Sequence, residues 1–135
     1  MIPKFRAWDV HNKKMLTESE LVIWSGNVYA NDYQKIFKRF MEGARGLVGY
    51  SVDDKYLMQS TGKMDSTGQV EVYAGDILYY PDQDEDNYGI IKFDEDTLAF
   101  VLDNGYERFV YGDYGMGKVI GNIYENPELV EGING

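Results

Sequence analysis

From Ile77 to Tyr124 the chain is a succession of short apolar runs, each broken within a few residues by Gly, Asn or Asp. Ile77–Tyr80, Gly89–Phe93, Leu98–Leu102, Tyr106–Tyr111 and Val119–Tyr124 are rich in β-branched and aromatic residues, which suit a pleated surface. The breaks carry turn chemistry: Asp94-Glu95-Asp96, Asp103-Asn104-Gly105 and the loop Gly112 to Gly117. Pro81 to Asn87 reads as an acidic loop. Short strands at this close spacing predict a small barrel of the SH3-like kind.

The barrel is entered through Tyr56 to Ile77, YLMQSTGKMDSTGQVEVYAGDI. Tyr56 to Ser60 predicts a strand, Gly62 to Gly68 a loop, and Val70 to Tyr73 a second strand ending in the Gly75-Asp76 turn. Upstream, Lys4 to Asp9 alternates as a strand does, Val10-His11-Asn12 turns the chain, and Lys13 to Leu16 returns as a hairpin partner. Leu21–Trp24 and Asn27–Ala30 flank Ser25-Gly26 as a second hairpin. In residues 32–42, Tyr33, Ile36, Phe37, Phe40 and Met41 form one apolar stripe, which predicts a short amphipathic helix ended by Gly43. Leu47 to Val52 reads as a further extended segment. The predicted fold is mainly β: an N-terminal β-rich extension with one short helix over 1–55, an SH3-like barrel over 56–128, and a tail over 129–135.

Composition narrows the chemistry. Apolar residues make up 44% of the 135, enough for a packed core at this length. With no cysteine, thiolate metal sites, disulfides and cysteine nucleophiles are excluded. No apolar run approaches the roughly 20 residues of a membrane span, and MIPKFRAWD lacks a signal-peptide core, so a soluble, cytoplasmic protein is expected. Charge is uneven. Residues 1–48 hold eight Lys/Arg and five Asp/Glu, whereas 49–135 hold five and eighteen. The acidic part repels phosphate backbones. The basic part carries the alternative reading, nucleic-acid contact through Arg6, Lys13, Lys14, Lys35, Lys38 and Arg39.

Catalytic signals are weak. His11 is the only histidine and sits in a turn, with no evident orienting group beside it in sequence. Asp82, Asp84 and Asp86 alternate as cation ligands can, but Asn87 and Phe93 stand where a calcium loop needs Gly and an acid. GDYGMG at 112–117 lacks the following helix of a phosphate loop. No cofactor and no catalytic residue is predicted. A metal-dependent hydrolase is the remaining enzymatic alternative. The twelve tyrosines say more. Tyr79, Tyr80, Tyr88, Tyr106, Tyr111 and Tyr114 lie along the barrel strands and loops, and tyrosine suits interfaces. If several share a face, that face is a binding surface for a host or phage protein, or for a second copy of the chain.

KFRAWD at 4–9 with KKM at 13–15, YLMQSTG at 56–62, VYAGDIL at 72–78 and VIGNIYENPEL at 119–129 together resemble the YopX-like family of phage and prophage proteins. Where that family usually has Tyr-Glu-Gly-Asp-Ile, this chain has Tyr73-Ala74-Gly75-Asp76-Ile77. The resemblance implies a phage or prophage gene product acting in the cytoplasm of a bacterial host, with an SH3-like barrel in its C-terminal part. It implies no activity and supplies no catalytic residues, and an SH3-like barrel would not settle function by itself.

Overall fold

The structure is a computed structural model and describes residues 3–24, 26–30, 50–82, 85–112 and 117–134. It is mainly β, and the chain divides into two compact units, Ile2–Met58 and Gln59–Gly135.

In the first unit β1 (Phe5–Asp9) and β2 (Lys14–Leu16) form an antiparallel hairpin in which Trp8 lies opposite Met15. The turn between them closes on Asp9, whose carboxylate accepts from the backbone N–H of His11 and of Asn12, both at 3.1 Å. Short polar side chains that capture nearby N–H groups stabilise turns in this way. After a 3-10 turn at Glu18–Glu20, β3 (Leu21–Trp24), β4 (Asn27–Ala30) and β5 (Ser51–Val52) make a three-stranded antiparallel sheet. Both predicted hairpins are present. The helix predicted over 32–42 lies outside the described residues. A second 3-10 turn, Asp54–Tyr56, is capped by Asp53, whose Oδ1 accepts from Lys55 N.

β6 (Leu57–Met64) leads into the second unit and pairs with β7 (Glu71–Tyr73). It runs through Gly62 to Met64, which were expected in the loop. Next, β8 (Asp76–Asp82), β9 (Glu85–Asp94), β10 (Ala99–Asp103) and β11 (Arg108–Val110) form an antiparallel meander. β12 (Lys118–Asn122) returns to pair with β8, so the sheet order is β11-β10-β9-β8-β12. Both faces of this sheet are buried over its middle. On one, Leu78, Ile91 and Leu102 pack with Val72 and Tyr111. On the other, Ile77 and Ile90 pack with Ile133. Burial on both sides explains why the central strands read as apolar runs rather than as strict alternation.

Two expectations are corrected. The acidic loop over 81–87 is mostly strand, because the β8–β9 ladder continues through Tyr80↔Asn87, Pro81↔Asp86 and Asp82↔Glu85. Among the described residues the β12 ladder on β8 reaches only Tyr79, so Pro81, which has no N–H to donate, lies where β8 has no described partner on that side. The tail over 129–135 is instead mostly helix: α1 spans Pro127–Asn134. Pro127 stands at its first position, where a missing N–H costs nothing, and Leu129 and Val130 pack against the Ile77–Ile90–Ile133 cluster. The β10–β11 turn is fitted to that helix. Gly105 has φ +92°, and a Cβ there would stand 2.2 Å from the Ile133 carbonyl oxygen.

Candidate functional site

The first unit contains a cleft of about 220 Å³ between the β1–β2 turn and the segment from Tyr50 to Tyr56. Asp9 forms its floor and is almost fully buried. Besides the two turn N–H groups, its carboxylate accepts from Asn12 Nδ2 at 2.8 Å and from the Tyr50 hydroxyl. Tyr50 in turn accepts from Asn12 Nδ2 at 3.0 Å. Burial pushes the Asp9 carboxyl up, but the bonds from Tyr50, Asn12 and His11 outweigh it and hold the group below its ordinary value. Asp9 is therefore an anion that fixes the Tyr50 ring. Trp8 and Tyr56 also line the cleft, and the Lys55 ammonium lies 5.1 Å from the centroid of the Tyr56 ring. A broader hollow of about 510 Å³ shares His11, Ser51, Val52 and Asp53 with this cleft.

The tyrosines of the second unit separate. Tyr79 and Tyr88 face each other across β8 and β9 with ring centroids 5.5 Å apart. The Tyr79 hydroxyl donates to Asp86 Oδ1 at 2.7 Å, and that bond raises its pKa. Tyr80 points to the opposite face, packs on the inner core and accepts from Asn104 Nδ2 at 3.2 Å. Asn104 Oδ1 accepts from Tyr106 N and Glu107 N, which sets Tyr106 beside the same end of the sheet, 93% exposed. Tyr111 is a core residue, only 7% exposed, and its hydroxyl is buried with no hydrogen-bond partner among the described residues. Burial, then the charges of Asp65 and Asp76, raise its pKa. Tyr114 lies outside the described residues. The structure thus pairs Tyr79 with Tyr88 on one face, turns Tyr80 to the other, where Asn104 links it to the turn that carries Tyr106, and sends Tyr111 inward.

Among the described residues Arg6, Lys13 and Lys14 do not gather on one face. Lys14 is on the face of the β1–β2 hairpin opposite Arg6 and makes an ion pair of 3.1 Å with Glu20. Lys13 is exposed in the turn with φ +53°, and Arg6 is half-buried with its Nε enclosed. Lys35, Lys38 and Arg39 lie outside the described residues, as do Asp84 and residues 113–116 of the Gly-rich loop.

The sequence blocks that carry the resemblance build turns. Gly75, with φ +94°, donates to the Ile91 carbonyl and accepts from Ile123 N, while Asp76 Oδ2 accepts from Tyr73 N at 2.7 Å. Asn122 collects the N–H groups of Tyr124 and Glu125 on its Oδ1, and Asn126 Oδ1 accepts from Asn122 N, so the chain turns out of β12 into α1. The family model described as YopX protein matches residues 4–131. The chain belongs to the YopX family. No curated protein matches it. In this YopX family member the matching blocks hold the β1–β2 turn, the entry to β8 and the β12–α1 junction, all structural tasks. Sequence reasoning missed the cleft, because its walls come from segments some forty residues apart. The signal available was the Trp8-Asp9 pair before a turn and the tyrosines at 50 and 56.

Proposed function

We propose that this YopX family member is a non-enzymatic protein-binding module, encoded by a phage or prophage and acting in the cytoplasm of its bacterial host. The observations that carry the reading are the Tyr79–Tyr88 ring pair on the β8–β9 hairpin, with Tyr88 exposed, and the almost fully exposed Tyr106 in the β10–β11 turn. Large, fairly rigid rings tipped with a hydroxyl bury much area at small entropic cost, which suits them to be anchors of an interface. The strand order, a four-stranded meander with the fifth strand returned to the first, supports an SH3-like barrel as the scaffold.

A second copy of the chain is the first partner to test, since among the described residues β11 and β12 are the outer strands of the sheet, and neighbouring copies often cover such strands. Sedimentation of the wild-type chain and of Tyr88→Ala/Tyr106→Ala is the direct measurement. Concentration-dependent assembly that the double variant weakens at least tenfold is the expected outcome. Assembly that the substitutions leave unchanged would remove these tyrosines as the interface. A monomer that also captures no protein from phage-carrying cells would remove the binding-module reading itself.

A further inference from the structure

We propose that the cleft of the first unit is a separate binding site for an alkylammonium or guanidinium group, the head of a lysine or arginine side chain or of a free organic cation. It is independent of the sheet-end tyrosines. Trp8, Tyr50 and Tyr56 all line one hollow, and aromatic ring faces attract cations through their quadrupole. The structure already shows the chemistry in use, for the Lys55 ammonium sits over the Tyr56 ring at 5.1 Å. Lys55 is exposed, and an incoming cation would share or replace it on that ring.

Charge favours the same ligand. Asp9 lies at the floor with its oxygens engaged by four donors, so it offers negative charge rather than new hydrogen bonds. Asp53 stands exposed at the rim, and among the described residues only its Oδ1 is committed, to Lys55 N. A guanidinium could therefore stack on the aromatic wall while donating to Asp53. At about 220 Å³ the cleft falls below the roughly 300–1,000 Å³ of sites for drug-sized molecules, and it suits a side-chain head rather than a nucleotide.

The test is a titration of the ¹⁵N-labelled full chain, followed by amide shifts, with N-acetyl-arginine amide, its neutral isostere N-acetyl-citrulline amide, adenosine, and the peptide Gly-Arg-Gly-Lys-Gly. Saturable shifts at His11, Tyr50 and Lys55 with arginine and at least tenfold weaker binding of citrulline are expected. Tyr56→Leu should weaken arginine binding about tenfold. Asp53→Asn keeps the cap on Lys55 N and should weaken it several-fold without disturbing the fold. Peptide binding much tighter than the free amino-acid amide would assign the cation to a protein partner, and equal binding to a small molecule; both support the site. Equal binding of citrulline, preference for adenosine, or no shifts at these residues would overturn it.

Discussion

Single acidic and amide side chains organise several of the described turns. Asp65 is the clearest case. It is almost fully buried and accepts from Thr67 N at 3.0 Å and from Val119 N at 3.1 Å, tying the β6–β7 loop to β12. Burial pushes Asp65 up, yet the bonds from Thr67 and Val119 bring it below its ordinary value, and Asp103 is lowered in the same manner by Gly105, Lys92 and Arg108. A carboxyl lowered by folding binds fewer protons than in the unfolded chain. Its contribution is present above the unfolded value near 4 and is lost as pH falls through the folded one. Stability should therefore be flat from about pH 7 to 5 and fall below about pH 4, and Asp65→Asn should make the fall shallower; urea unfolding across that range measures both. Tyr111 makes the opposite prediction. Its buried hydroxyl has no partner among the described residues, so Tyr111→Phe should raise stability by about 1 kcal/mol. A loss in the same urea experiment would mean that the hydroxyl is bonded in solution.

At the scale of elements, the decisive packing is that of α1 on the outer face of the sheet. Ile133 closes the Ile77–Ile90 cluster, and the same residue's carbonyl lies against Gly105 in the β10–β11 turn. Ile133→Ala should cost about 2 kcal/mol through the lost burial and the cavity it leaves. Gly105→Ala should cost about 2 kcal/mol through its positive φ and the clash with that carbonyl. Because both changes loosen one contact, the double variant should fall short of the sum by about 1 kcal/mol in chemical unfolding. Additive losses would show that turn and helix are held independently. Most of the strands were legible in the sequence because each is bounded by residues with local turn chemistry, such as Asp94-Glu95-Asp96 and Asn104-Gly105. The continuation of β8 and β9 into the acidic segment was not legible, since Asp82 and Glu85 have poor strand propensity and are placed by the register set further down the ladder. Helix α1 was missed because the sequence after Asn126-Pro127 is short and its apolar residues matter only once Ile77 and Ile90 are beside them.

For the whole molecule, the formal net charge of −10 governs association. Two copies repel, so self-association through the tyrosine end should strengthen as salt rises from about 0.05 to 0.5 M, whereas capture of a basic partner should weaken over the same range. Sedimentation and partner binding at both salt concentrations separate the two. At this scale the sequence alone determined the mainly β class, most of the strand and turn positions and the YopX family, because turn chemistry and strand propensity act over a few residues. Only the tertiary structure decided that Tyr106 faces solvent while Tyr111 enters the core, that Asp9 reaches across to Tyr50, and that the last residues fold onto the sheet. Those outcomes depend on which face of a strand is covered, and on contacts between residues far apart in the chain, which no local pattern encodes.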